Sequence, residues 1–392
     1  MSEKLTPGRR DPHATDAAAW DPPPTLTGRE YDSADVFDIE RERLFQGSWF
    51  CVGRADEADG AGAFVAVDVA GDSVLIVRGE DGALRAFLNV CRHRGSQLCE
   101  GSGKVKAIRC PYHAWSYGLD GRLLSTPNVR REERLPRDQL GLNEVPVDIW
   151  EGFMWVSLAD DPGRLVDHLT SWASDDPFQW QRYGVGDLVV GARREYRVAA
   201  NWKLLIENYN ECLHCPTVHP ELAKLVPIYR HGEVEEQPGQ NGNGNRLRDG
   251  LTSFTPSGHS DLPSLPGLEP DDLGTFYGVT LLPNLIINYH SDTVSTFLLQ
   301  PEGAAETRVT CHYLFAPDTV ASPGFDPSQV VEFRHTLALQ DWAVCEGAQR
   351  GSRSRGYAKG GILPYADRFL HSFHVQYREM LAAHPHPQPG SP

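Results

Sequence analysis

Two short runs, Cys91-Arg92-His93 and Cys110-Pro111-Tyr112-His113, constrain this chain more than anything else in it. Each brings a thiol and an imidazole close together, and sixteen residues separate the two pairs. Each pair falls at the end of a predicted strand, so two loops can converge on one metal centre. Two thiolates and two imidazoles suit either a zinc site or an iron–sulfur cluster. Zinc sites more often show Cys-x2–4-Cys and His-x3–5-His spacings, whereas here each half-site mixes Cys with His. In a cluster, Cys91 and Cys110 would hold one iron and His93 and His113 the other, and neutral imidazoles in place of thiolates raise the potential. Further cysteines stand at 51, 99, 212, 215, 311 and 345, but in a 392-residue chain in which no signal peptide is read a disulfide scaffold is not expected, and metal ligation is the better default for clustered Cys and His. Cys99 lies outside the pattern and reads as an ordinary small buried or loop residue.

The surroundings of these pairs are all-β. From 49 to 158 the chain alternates in short strands: AFVAVDV (63–69), SVLIVRG (73–79), ALRAFLNV (83–90), VKAIRC (105–110) and AWSYGL (114–119), with turns at Ala70-Gly71-Asp72, Glu80-Asp81-Gly82 and Asp120-Gly121. Ahead of them, 33–48 reads as a helix with Ser33 as N-cap. Residues 1–27 are polar and Pro-rich and are expected to be poorly ordered. After about 159 the pattern becomes mixed: helices at 201–214 and 327–350, strands at 188–199, 276–290, 294–300 and 307–315, and a tail from 383 to 392. The stretch 232–272, with QPGQNGNGN at 237–245, reads as a long mobile loop, a lid or an insertion. The domain expectation is therefore 1–27 disordered, 28–48 a helix packing on the second domain, 49–158 the metal-binding β domain, 159–382 a catalytic domain and 383–392 a tail.

Composition narrows the function classes. A formal charge of −16 disfavours non-specific nucleic-acid binding, where Lys and Arg must neutralise phosphates. An acidic surface could favour cationic substrates or basic redox partners, although solubility is the plainer account of it. No apolar run reaches the roughly 18–20 residues needed to span a membrane. Arg9-Arg10 is followed by Asp11-Pro12-His13 rather than an apolar core, so no export signal is read and a cytoplasmic location is expected.

A second constellation lies in NWKLLIENYNECLHCPTVHPEL (201–222). On a continuous helix Glu207, Glu211 and His214 would share one face, Pro216 would end the helix, and His219 could fold back. Two histidines and one carboxylate make the facial triad that leaves positions open on Fe(II) for O2. The carboxylate is sought in SQVVEFRHTLALQDWAVCEGAQ (328–349). There Val330, Phe333, Leu337, Asp341, Val344 and Ala348 step by three and four, placing Asp341 in an apolar stripe. A buried carboxylate needs compensation, and a metal would provide it. Glu346 faces elsewhere. Each residue also has a plainer reading: a lone His-x4-His is more often structural, and Asp341 could be a hydrogen-bonded buried Asp.

The motifs CRHRG and CPYHAW resemble those of Rieske [2Fe–2S] domains of oxygenases, with Ser96 and Tyr112 where respiratory versions carry an additional disulfide. ENYNECLHCPTVHP resembles the acidic-x2-His-x4-His signature of ring-hydroxylating oxygenase α subunits. The resemblance covers about residues 28–380 and implies an α+β chain: an N-terminal all-β Rieske domain plus a C-terminal helix-grip (START-like) catalytic domain. It implies a [2Fe–2S] cluster on Cys91, His93, Cys110 and His113, and a mononuclear Fe(II) on His214, His219 and Asp341. Glu211 takes the place of the acidic residue that bridges an iron-ligating His to a cluster His of the neighbouring subunit. Glu there, with Cys345-Glu346-x-x-Gln349-Arg350-Gly351 later, is similar to the branch acting on quaternary ammonium compounds such as choline, carnitine and glycine betaine. The family implies a homotrimer and a separate flavin/[2Fe–2S] reductase drawing on NAD(P)H. The chain itself shows no nucleotide-binding fingerprint.

The expected reaction is O2-dependent hydroxylation of a small organic substrate, favoured as monooxygenation or N-demethylation of a quaternary ammonium or related amine. An aromatic ring-hydroxylating dioxygenase is the alternative, and a non-catalytic [2Fe–2S] electron-transfer protein is the alternative from another class. A quaternary ammonium calls for aromatic faces. Tyr209, Phe276, Tyr277, Tyr289, Phe297 and Tyr313 are available, although each alone reads more simply as core.

Overall fold

The computed structural model describes residues 17, 20–130, 133–172, 179–234 and 244–383. The N-terminal domain is built from eleven strands: β1 (Trp49–Arg54), β2 (Ala63–Val69), β3 (Asp72–Arg78), β4 (Leu84–Leu88), β5 (Ser102–Lys104), β6 (Ile108–Arg109), β7 (Ser116–Tyr117), β8 (Leu123–Ser125), β9 (Glu144–Val145), β10 (Val147–Trp150) and β11 (Phe153–Ser157). They form three antiparallel sheets, ordered β5-β2-β3-β4-β9, β1-β11-β10 and β6-β7-β8. β2 and β3 form along AFVAVDV and SVLIVR because apolar residues alternate there and a turn at Ala70–Gly71 reverses the chain. The 105–110 segment is strand only at Ile108–Arg109, since the chain turns at once into the Cys110 loop.

The C-terminal domain centres on a six-stranded antiparallel sheet: β12 (Val189–Val198), β13 (Gly244–Arg246), β14 (Thr275–Leu281), β15 (Leu285–Tyr289), β16 (Val294–Gly303) and β17 (Glu306–Phe315), in the order β12-β17-β16-β15-β14-β13. The single strand expected at 276–290 is two, because the chain reverses at Leu282–Asn284. Asn284 uses that reversal to bind the other domain, accepting from the Cys51 backbone N–H at 3.0 Å and donating to the Cys51 carbonyl at 2.8 Å.

Alternation sorts this sheet into two faces. Tyr277, Val279, Ile287, Tyr289 and Leu298 join Trp49, Phe153 and Trp155 of the N-terminal domain in one core. Ile286, Leu299, Cys311 and Tyr313 face the other way, packing with Trp202, Leu205, Ala338 and Trp342 of two helices, Trp202–Tyr209 and Ser328–Ser352. Gly278 lets the first helix come close: a Cβ there would collide with Tyr209 Oη.

Several expectations are corrected. Trp202–Tyr209 is shorter than the helix read over 201–214. The helix read at 33–48 runs as Ala34–Glu40 after Ser33 and passes into a π-helical turn, Arg41–Phe45, and a separate short helix, Gly28–Asp32 with a Thr27/Glu30 capping box, precedes it. A terminal helix, Arg368–Ala383, went unread. Residues 20–27 are packed rather than loose: Leu26 is buried, Trp20 Nε1 donates to the Leu363 carbonyl at 3.0 Å, and Pro24 bridges Ile362. Much of the 232–272 stretch is likewise held, with β13 pairing β14 and Leu247, Leu251 and Phe254 buried. Its 235–243 portion, most of the expected disordered segment 1–27 and the tail beyond 383 lie outside the described residues.

The N-terminal helices lock onto the iron-side helix through buried charge. Glu40 and Lys203 are both fully buried and form an ion pair, and Glu40 also accepts from Trp202 Nε1 at 2.9 Å and Tyr377 Oη at 2.7 Å. Glu207 does not face the candidate metal site. It accepts from Tyr31 Oη and bonds His374 Nε2, each at 2.8 Å.

Candidate metal centres

The two Cys/His loops converge as their spacing suggested. Cys91 and Cys110 are buried, while His93 is exposed and His113 partly so. The loop backbones fold tightly, with Gly95 N–H donating to the Cys91 carbonyl at 3.0 Å and Ala114 N–H to the Cys110 carbonyl at 3.1 Å. The His93 and His113 rings lie 4.7 Å apart, and Trp115 stacks on His93 at 4.6 Å. Burial opposes ionisation of Cys110, but the Tyr112 and His113 backbone N–H groups, with Cys91 and Ser96, bring its thiol below the ordinary range. Thiolates held by backbone donors, beside two accessible imidazoles, fit a cluster with its sulfur end inside and its histidine end outside. Tyr117, which sequence reading passed over, lies 3.3 Å from Cys91 Sγ.

The second centre is built from three segments. Asn201 caps the Trp202–Tyr209 helix by accepting from Lys203 N–H at 3.0 Å, and the helix stops at Asn210. Glu211 then takes the backbone N–H of Leu213 and, at 3.4 Å, that of His214, serving the start of a new short helix, Cys215–Val218. Pro216 sits in that helix's first turn, where its missing N–H costs nothing, so it starts a helix rather than ending one. His214 and His219 are the two caps of this short helix. Cys212 and Cys215 form a disulfide around His214, a local pairing that the sequence reading did not anticipate.

Asp341 comes from the long helix and closes the site. His219 Nε2 lies 2.7 Å and His214 Nε2 3.3 Å from Asp341 Oδ1. One donor atom from each of the three residues lies within 4.8 Å of the others. The Nδ1–H of His214 donates to Glu211 Oε1 at 2.5 Å, and that of His219 to Gln340 Oε1 at 2.7 Å. Gln340 in turn donates to Glu221 at 2.7 Å. Both Nε2 atoms are thereby aimed at Asp341, the orientation metal-ligating histidines need. Burial pushes the His214 pKa down, but Asp341 and Glu211 raise it to about 9. Burial pushes the Asp341 carboxyl up, and the two imidazoles hold it below the usual range. The site therefore favours positive charge between the rings and the carboxylate, and the donor set of two nitrogens and one oxygen fits Fe(II).

The apolar stripe that led to Asp341 holds only for its first half. Val330, Phe333 and Leu337 are buried, but Val344 is 39% exposed, and the buried side continues through Cys345, Gln349 and Ser352. Glu346 accepts from the Ala199 backbone N–H at 3.1 Å and takes no part in the centre. Gln340 and Glu221 were missed. The only signal for Gln340 was its place beside Asp341, and Glu221 had none.

Comparison with known proteins follows the same division. Residues 48–146 match the Rieske [2Fe-2S] domain and residues 185–383 the ring hydroxylating alpha subunit catalytic domain. A glycine betaine monooxygenase oxygenase subunit of Chromohalobacter salexigens is 33% identical over 366 residues, covering 86% of this chain and 80% of that protein. A carnitine monooxygenase oxygenase subunit of Acinetobacter baumannii is 30% identical, covering 91% and 93%. The crystal structure of the quaternary ammonium Rieske monooxygenase CntA in complex with L-carnitine superposes with a TM-score of 0.73 at 26% identity, covering 94% of this chain and 98% of that one. Among the described residues no helix is long and apolar enough to cross a membrane.

Proposed function

Because this chain belongs to the Rieske ring-hydroxylating oxygenase family, with a [2Fe–2S] cluster and a mononuclear iron, we propose that it hydroxylates an N-methyl or adjacent C–H of a quaternary ammonium compound. The observation that carries this reading is the His214–His219–Asp341 cluster, with each Nδ1 already committed to a neighbour and one donor atom from each residue within 4.8 Å. When bound there, the iron supplies O2 activation with electrons relayed from the cluster. One oxygen atom goes to carbon and the other to water, with two electrons and two protons consumed. A carbinol formed on an N-methyl releases formaldehyde and leaves the amine.

The protein's part is orientation and exclusion. Glu211 and Gln340 fix the imidazoles, and Glu221 fixes Gln340. The apolar side chains of Phe333, Leu337, Leu222 and Leu225 pack around this part of the chain and keep water out. Of the aromatic candidates, Tyr209, Phe297 and Tyr313 pack with the helices that carry the site, whereas Tyr277 and Tyr289 pack toward the N-terminal domain. Phe276 stacks on His290 at 4.9 Å and packs beside Phe254. A trimethylammonium group is attracted to aromatic ring faces, and relatives matched over 80% or more of their length carry glycine betaine and carnitine in their names. Cys91, His93, Cys110 and His113 hold the cluster. Electrons come from a separate flavin/[2Fe–2S] reductase, and the working form is a cytoplasmic homotrimer in which Glu211 links His214 to the neighbouring subunit's cluster.

The test combines metal content with product analysis. Wild type should hold about three irons and two acid-labile sulfides per chain, and His214→Ala should lose one iron and keep the sulfide. With a reductase, O2 uptake should depend on a trimethylammonium compound and yield formaldehyde or the released amine. A cis-diol from an arene would replace this reading with ring dihydroxylation.

A further inference from the structure

Two helical turns before Asp341, the same helix buries an arginine that makes no hydrogen bond to any described residue. Arg334 is 6% exposed, and its Nε, Nη1 and Nη2 are all buried and unpartnered. It stands seven positions before Asp341, so the two lie within about 20° of one face and about 10 Å apart along the axis. The nearest carboxylate, Asp292 in the turn between β15 and β16, stands 4.0 Å away. A buried arginine–carboxylate pair ordinarily closes at about 2.7–2.9 Å, often through two bonds. This pair stays open.

The neighbours leave further polar atoms unused. Asp292 spends one oxygen on Ser253 Oγ at 2.5 Å, and its Oδ1 has no hydrogen-bond partner. His290, held between Phe254 and Phe276, is 4% exposed with its Nδ1 unpartnered. Five buried polar atoms on three side chains thus meet between the helix and the β15–β16 turn without hydrogen bonds to the described protein. A guanidinium has five N–H donors, and leaving them unpaired costs several kcal/mol. Burial also raises the Asp292 carboxyl above its ordinary range, which lessens its repulsion of a second carboxylate.

We propose that Arg334, with His290 beside it, is the carboxylate subsite of the substrate, so that the substrate is a zwitterion spanning from Arg334 to the His214–His219–Asp341 centre. This assignment rests on the quaternary-ammonium reading above. It selects carboxylate-bearing betaines over alcohols such as choline, which offer a neutral hydroxyl to a buried cation.

The test is calorimetric titration of anaerobic holoenzyme with γ-butyrobetaine, its primary amide and butanoate, on wild type, Arg334→Gln and Arg334→Lys. A charge-assisted contact predicts that wild type prefers γ-butyrobetaine over the amide by about 10–150-fold. Arg334→Gln should abolish that preference while binding the amide as wild type does, and Arg334→Lys should restore part of it. Equal affinity of wild type for acid and amide would overturn the assignment and leave the quaternary-ammonium reading intact. Equal weakening of both ligands in Arg334→Gln would make Arg334 a structural residue. Butanoate binding as tightly as γ-butyrobetaine would keep the anion subsite and remove the quaternary-ammonium reading, and no binding of any of the three would remove both.

Discussion

At the residue scale, the second metal centre depends as much on amide and carboxylate partners as on the three donors. Glu211 and Gln340 each hold one imidazole by its Nδ1–H, and Gln340 is itself held by Glu221. Partners of this kind commonly contribute 10–100-fold in metal affinity or activity. Gln340→Ala should therefore weaken iron binding by about 10–100-fold, measured by competition with a chelator, while leaving the [2Fe–2S] absorbance unchanged. Unchanged iron affinity would show that His219 is positioned by the backbone alone. Gln340 was illegible in the sequence because its importance comes from a neighbour 121 residues away, and one polar residue on a helix carries no pattern.

At the element scale, two remote segments clamp the Trp202–Tyr209 helix that leads into the metal site. Glu40 from the N-terminal helices and Tyr377 from the last helix meet Lys203 and Trp202 in one buried network. Removing one partner of such a pair leaves an uncompensated charge, at a cost of about 3–5 kcal/mol. Lys203→Met should lose about that much in urea unfolding, and adding Glu40→Gln should recover part of the loss. Simple additivity of the two losses would mean that the pair is not coupled. The short Cys215–Val218 helix makes a related point about local sequence. Pro216 announced a helix boundary correctly, but whether proline closes one helix or opens the next depends on where the preceding helix stops, and Asn210 stops it six residues earlier.

At the scale of the whole molecule, one hydrophobic core runs from the N-terminal β domain through the catalytic sheet to the terminal helix, joining Phe50, Ile76, Tyr196, Trp202 and Tyr377. The domains are fixed relative to each other. Yet the histidine end of the cluster faces outward, with His93 exposed and Tyr112 58% exposed beside it. An exposed electron-donating edge suits transfer to a partner rather than within one chain. In the proposed trimer, a chain lacking the cluster (Cys110→Ser) and a chain lacking the iron (His219→Ala) should complement each other. Co-assembled, they should regain a substantial fraction of wild-type turnover, while each alone stays inactive. Inactivity of the mixed assembly, with both folded and metal-loaded as designed, would mean that electrons travel within one subunit.

What the sequence determined by itself was chemistry carried by short-range spacing. Cys91-x-His93, Cys110-x-x-His113 and His214-x4-His219 are set by a few bonds of backbone, so the loops that hold them follow from local turns. The alternating strands at 63–69 and 73–79 were legible for the same reason, since a period of two needs only a neighbouring strand to satisfy it. Tertiary structure alone decided the rest. It ended the helix at Tyr209, turned Glu207 away into the Tyr31–His374 network and rotated the buried stripe beyond Asp341 toward Cys345. It also placed Arg334, His290 and Asp292 together. Burial and hydrogen bonding between residues tens to hundreds of positions apart leave no period or spacing in the chain, and only the packed molecule brings them together.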